Sequence, residues 1–137
     1  MDLRQVQVGY AFPRQTLILD EATVAAYVEA VEDPSPLYRG PEALVPPLAI
    51  LALSMRGLTD LLLRYPGATH ASQRLTATRP ARLGDTVTAD LTVRARSERR
   101  GFAALILEVR IEDGPGAVLD GEMLLMVPLR EGGAAND

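Results

Sequence analysis

The chain contains no cysteine, no tryptophan and no lysine, and it has a single histidine, His70, among its 137 residues. Without cysteine there is no disulfide framework, no thiolate nucleophile and no sulfur-ligated metal. One histidine excludes multi-histidine metal sites and any histidine pair, so no metal and no cofactor is expected. Aromatic residues make up only 4% of the chain, so the core has to be built from Leu, Val, Ile and Ala. A net charge of -4, with arginine as the only basic side chain, argues against a nucleic-acid partner, because phosphate binding runs on clustered cations. The N-terminus, Met1 to Tyr10, has no apolar core of a secretory signal. The longest apolar region, Ala43 to Leu63, is interrupted by Pro46, Pro47, Arg56 and Asp60, so no membrane span is expected. These features, with the lack of disulfides, fit a soluble protein of the reducing cytoplasm.

What is present reads as one domain. A hydrophobic fraction of 47% against 23% charged residues is globular, and the length suits a single core. Residues 1–130 are taken as that domain and Glu131–Asp137 as a polar tail. Gln15 to Leu19 is a first strand. Asp20 is a helix N-cap, and Val24, Tyr27, Val28 and Val31 recur at helical spacing after it. Pro34 and Pro36 end that helix and stiffen the loop from Asp33 to Gly40. A main helix is predicted over Pro47 to Arg64, about 25 Å long at ~1.5 Å per residue. It is apolar around most of its circumference, and therefore buried. Pro47 suits its first position.

Beyond Gly67 the period changes from 3.6 to 2. Gln73 to Arg79 is a strand. Thr86 to Arg96 alternates, with Val87, Ala89, Leu91, Val93 and Ala95 on one face. Phe102 to Ile111 and Val118 to Leu129 follow, separated by turns at Glu98–Gly101 and Asp113–Gly116. A buried helix followed by an antiparallel meander implies an α+β fold, with the sheet wrapped round the helix. Such a sheet leaves an edge that is commonly covered by dimerisation.

Three segments carry a resemblance to a known family. Glu32-Asp33-Pro34-Ser35-Pro36-Leu37-Tyr38 resembles a Gly-Asp-x-Asn-Pro-x-His loop. Val45-Pro46-Pro47-Leu48-Ala49 resembles a proline-containing start to a central helix. His70-Ala71-Ser72-Gln73, with Arg79-Pro80 and Gly84-Asp85-Thr86 beyond it, resembles a strand-turn-strand bearing Arg-Pro and Gly-Asp-Thr. Together they are similar to the hotdog fold in its MaoC-like branch. That branch holds (R)-specific enoyl-CoA hydratases, 3-hydroxyacyl-thioester dehydratases and non-catalytic partner subunits. The resemblance implies an acyl thioester of CoA or acyl-carrier protein as ligand. It implies a homodimer, or a heterodimer with a second hotdog chain. It assigns Asp33, Ser35 and Tyr38 to the catalytic loop, with Tyr38 at the histidine position. A phenol, with an ordinary pKa near ~10, donates a hydrogen bond or a proton but is a poor base at neutral pH. Arg39 is the only cation adjacent to it.

Each of these residues also has a plainer role. Asp33 ends a helix before a proline-rich turn, and Tyr38 suits a boundary ring with a solvated hydroxyl. For His70 a structural or dimer-edge role is favoured over ligand contact. Pro47 serves helix initiation equally well. The first helical N–H groups, Leu48 and Ala49, are the candidates to polarise a thioester carbonyl. The leading expectation is hydratase or dehydratase chemistry on 2-enoyl and 3-hydroxyacyl thioesters. A non-catalytic acyl-binding subunit is the alternative that Tyr38 raises. A hotdog thioesterase, for which Asp60 is the one carboxylate on the main helix, comes third.

Overall fold

A computed structural model describes residues 1–30 and 43–130. Asp33, Ser35, Tyr38, Arg39, Val31 and the tail 131–137 lie outside the described residues. Strand β1 (Gln15–Ile18) leads into helix α1 (Glu21–Ala30). Asp20 caps that helix, its carboxylate accepting the Thr23 N–H at 2.8 Å. Val24 and Val28, one turn apart, are its buried face.

The predicted main helix is two helices. α2 runs Pro47–Ser54 and α3 runs Arg56–Leu62, with β2 (Leu44–Val45) before them. At the break, Met55 leaves helical geometry (φ −92°, ψ −1°), and its N–H is shared between Leu51 O at 3.0 Å and Ala52 O at 3.2 Å. The Ser54 hydroxyl donates back to Ile50 O at 2.7 Å, a bond that competes with the backbone ladder and bends helices. The expectation of burial all round is also corrected. Ala49, Ile50, Leu51, Leu53, Met55 and Leu58 are buried, whereas Leu48 is 52% and Leu63 77% exposed. An apolar sequence fills every side of the helix, but the sheet covers only one.

Among the described residues, five strands form one antiparallel sheet in the order β1-β5-β6-β7-β3. β3 is Thr69–Ala77, β5 Thr86–Arg99, β6 Phe102–Asp113 and β7 Gly116–Pro128, and β4 (Ala81–Arg82) pairs with β2. β5, β6 and β7 are the predicted meander. β3 starts four residues earlier than the alternation suggested and stops at Ala77, because its limits follow its pairing with β7, from Thr69 opposite Met126 to Ala77 opposite Leu119. Thr78 and Arg79 then both turn their N–H groups onto Val118 O.

The alternation in β5 holds to Val93 and fails at Ala95. A bulge between Val93 and Ala95 inserts a residue, which exchanges the two faces beyond it. Arg96, not Ala95, then stands opposite buried Leu105. Its guanidinium is held by Arg4 O at 2.6 Å and by Glu98 at 2.7 Å. The inner face of the sheet, including Val87, Leu107, Ile111, Leu119, Met123 and Leu125, forms one core cluster with α1, α2 and α3. The N-terminal segment closes over it: Leu3 is fully buried, and its N–H donates to the Tyr65 hydroxyl at 3.0 Å.

Candidate active site

The start of α2 is fixed by the sequence around it. Pro46 and Pro47 have no N–H to offer, so the first donors are Leu48 and Ala49. Only one of them lacks an acceptor among the described residues. Ala49 donates to Pro46 O at 2.9 Å, and Ile50 donates to the same carbonyl at 3.2 Å. The reading of Ala49 as a free donor is thereby corrected. A tight first turn takes it up, and its side chain is buried. The Leu48 N–H has no acceptor among the described residues, and no side chain caps the helix.

This helix start is held by a short ladder. Val45 pairs with Ala81 and Leu44 with Arg82, and Leu83 donates to Ala43 O at 3.2 Å. The Gly-Asp-Thr turn anchors the ladder to the end of β1. Gly84, with φ 89°, donates to Leu19 O at 2.8 Å, and Leu19 donates to Asp85 O at 2.9 Å. The Asp85 carboxylate accepts the Arg82 N–H at 2.9 Å, closing the turn.

Between the ladder, the first turn of α2 and the ends of β3 and β7 lies a cleft of about 270 Å³. Val45, Pro47, Ile50, Ala77 and Leu119 give it apolar walls, and Arg79 stands among its lining residues. Arg79 donates to the Asp113 carboxylate and, at 3.2 Å, to Gly116 O. The same carboxylate accepts the Gly116 N–H at 3.1 Å. The Arg79 hydrogen bond holds the Asp113 carboxyl below the usual carboxylate range, and Asp113 in turn raises Arg79. The clasp ties the β6–β7 turn to the rim of the cleft. The Arg-Pro motif was visible in the sequence, but this role was not, since Asp113 lies 34 positions away.

Of the residues singled out from the sequence, Pro47, Leu48 and Ala49 therefore come together at one helix start, with Pro47 in the cleft wall. His70 does not join them within the chain. It lies in β3 itself rather than before a strand, opposite Leu125 and exposed. Six residues of strand lie between it and Ala77, roughly 20 Å at the rise of a β-strand. Asp60 is elsewhere too. With Tyr10, Phe12, Gln15, Ser54 and Arg64 it lines a second cleft, of about 410 Å³, between α3 and the sheet.

The described residues are a pre-formed apolar slot beside one free backbone donor. That arrangement can seat an acyl chain and polarise a carbonyl oxygen.

Comparison with known proteins bears on this geometry. A UPF0336 protein of Streptomyces avermitilis is 26% identical over 132 residues, covering 85% of this chain and 88% of that protein. The (R)-hydratase from A. caviae involved in PHA biosynthesis is 27% identical, with a TM-score of 0.77 over 90% of this chain and 98% of its own. A MaoC-like dehydratase from Rhodospirillum rubrum superposes with a TM-score of 0.72 at 22% identity, over 95% of this chain and 98% of its own. The fold is the hotdog fold. The family described as FAS1-like, dehydratase domain region, matches residues 6–114, which include the ladder, the start of α2 and all of the cleft's lining except Val118 and Leu119, and the chain belongs to that family.

Proposed function

We propose that the chain acts on acyl thioesters of CoA or acyl-carrier protein, adding water to 2-enoyl thioesters or removing it from 3-hydroxyacyl thioesters. The observation that carries this reading is the Leu48 N–H, without an acceptor among the described residues, next in the chain to Pro47 in the wall of an apolar cleft, in a chain of a dehydratase-region family. Negative charge develops on the thioester oxygen as the β carbon is attacked. A fixed donor aimed at that oxygen stabilises the enolate more than the ground state. Asp33 serves as the principal acid/base: it takes a proton from water as the hydroxyl adds at the β carbon, and a proton is returned at the α carbon. Tyr38 and Ser35 orient the water or the substrate, and Arg39 supplies positive charge beside them. The family resemblance of residues 32–38 supports these assignments.

Tyr38 also favours a second reading, a non-catalytic acyl-binding subunit paired with a hotdog chain that supplies both Asp and His. Asp60 in its separate cleft motivates a weaker thioesterase reading. No helix among the described residues is long and apolar enough to cross a membrane, and the cytoplasm remains the proposed location. The exposed edge of the sheet at β3 supports pairing with another hotdog chain.

Enoyl-thioester hydration by the purified chain tests the proposal. Wild-type turnover is expected, with Asp33→Ala lowering kcat by about 10²–10⁴-fold, the usual worth of an acid/base group. Tyr38→Phe reads the part played by the phenol. A wild type without turnover on short and long enoyl chains would overturn the stand-alone enzyme in favour of the partner-subunit reading. Release of free thiol from acyl-CoA would instead establish the thioesterase.

A further inference from the structure

The cleft between α3 and the sheet, about 410 Å³, lies apart from the one at the start of α2 and is the larger of the two. Its volume falls within the ~300–1,000 Å³ range of small-molecule sites. Two segments distant in sequence build it. Residues 9–12 run along β5 as an extended stretch: Gly9 donates to Val93 O at 2.8 Å, Val93 to Tyr10 O at 2.9 Å and Phe12 to Leu91 O at 2.9 Å. Extended backbone points alternate side chains to one face. Tyr10 and Phe12 therefore project together, their rings edge to face with centroids 5.0 Å apart. From the other side comes α3, where Gly57, Asp60, Leu61 and, in the closing turn, Arg64 recur at helical spacing and share one face.

The cleft is layered. Ser54, Leu58 and Leu91 are its buried floor, and the Ser54 hydroxyl already donates to Ile50 O. Tyr10, Phe12 and Leu61 are half-buried walls. Gly57 lets Gln15 lie against the helix: a Cβ there would stand 2.4 Å from Gln15 Nε2, and glycine within a helix otherwise costs stability. Asp60 and Arg64 are exposed at the rim. They stand one turn apart, the spacing at which an acid and a base pair on a helix. Yet among the described residues neither side chain has an ion-pair or hydrogen-bond partner. An unpaired carboxylate and an unpaired guanidinium above an apolar, aromatic-walled slot are the complement of a zwitterion with an apolar body.

We infer that this cleft binds a free α-amino acid with a large apolar side chain. Its carboxylate meets Arg64, whose fork suits that group. Its ammonium meets Asp60, and its side chain lies between the Tyr10 and Phe12 rings and Leu61, where an apolar or aromatic body packs well. A fatty acid would set its carboxylate beside Asp60, an apolar amine would set its ammonium beside Arg64, and a neutral ligand would leave both charges unpaired. Neither the ligand nor its test draws on the thioester reading.

Titration of the full chain with L-phenylalanine and L-leucine, followed by calorimetry and NMR shifts, tests this. Phenylpropionate, which lacks the ammonium, and phenethylamine, which lacks the carboxylate, are the comparators. Saturable binding of both amino acids is expected, with shifts at Tyr10, Phe12 and Leu61. Each comparator is expected to bind about tenfold more weakly, the worth of one charge-assisted hydrogen bond. Arg64→Gln should abolish the preference over phenethylamine, and Asp60→Asn the preference over phenylpropionate. Both residues are exposed, and unchanged thermal melts would show the fold intact. An absence of binding at millimolar amino acid would overturn the proposal. So would phenylpropionate binding as tightly as phenylalanine, or shifts confined to Ile50, Ala77 and Leu119 at the start of α2.

Discussion

Arg100 holds a left-handed backbone, φ 50°, followed by Gly101 at φ 83°. These two residues link β5 to β6, since Arg99 pairs with Phe102. Positive φ at both positions is the turn whose twist suits a two-residue hairpin, and it favours Asn-Gly. Gly101 meets the requirement without cost, while Arg100 meets it against the clash of its own Cβ. Arg100→Asn is therefore expected to stabilise the fold by about 0.5 kcal/mol, a few tenths of the strain being relieved. Urea denaturation would read this as a higher midpoint at unchanged slope. The Glu98–Gly101 turn was legible from its residues. What decided the fate of Leu48 and Ala49 was not. Two prolines in a row announce a helix start, but whether the next N–H is free depends on how tightly the first turn winds.

At the scale of elements, Gly121 sets how closely β3 can lie on β7. A Cβ there would stand 2.3 Å from Arg74 O and 3.1 Å from the Leu75 side chain. The near atom is backbone carbonyl, so relief requires the two strands to part. Gly121→Ala is expected to cost about 1–3 kcal/mol, and faster amide exchange should appear first in β3, whose only strand partner among the described residues is β7. Unchanged exchange in β3 alongside a global loss of stability would place the damage elsewhere. The helices carry a different lesson. The run from Pro47 to Leu63 is apolar enough for one buried helix, yet Ser54 and Met55 divide it. Propensity does not report that a serine hydroxyl will turn back onto the carbonyl one turn earlier.

For the whole molecule, two carboxylates are made more acidic by folding, one through a local cap and one through a long-range clasp. Asp20 caps α1, its pKa lowered by the Thr23 backbone N–H. Asp113 holds the rim of the cleft, lowered by Arg79. A carboxyl that is more acidic in the folded than in the unfolded state adds stability that is fully present above the unfolded value, near ~4. That contribution is lost as the pH falls through the folded value. Stability is expected to be flat in pH from these two groups down to about 5 and then to decline in acid. Thermal melts across that range check the prediction, and Asp113→Asn should flatten part of the decline.

The sequence by itself determined the fold class and the order of its main elements, though not the short β2–β4 ladder or the division of the main helix. Apolar residues at periods of 3.6 and 2, with Gly and Pro at the turns, are local signals, and each strand of the meander was readable from them. It also placed the helix start at Pro47 and the Gly-Asp-Thr turn. Only the tertiary structure decided the rest, because it turns on partners far apart in the chain. β7 set the limits of β3, a bulge exchanged Ala95 for Arg96 at the inner face, and the sheet covered one side of an all-apolar helix. The same distance effect brought Asp113 to Arg79 and set His70 apart from the cleft. Long-range contacts of this kind leave no periodicity in a sequence.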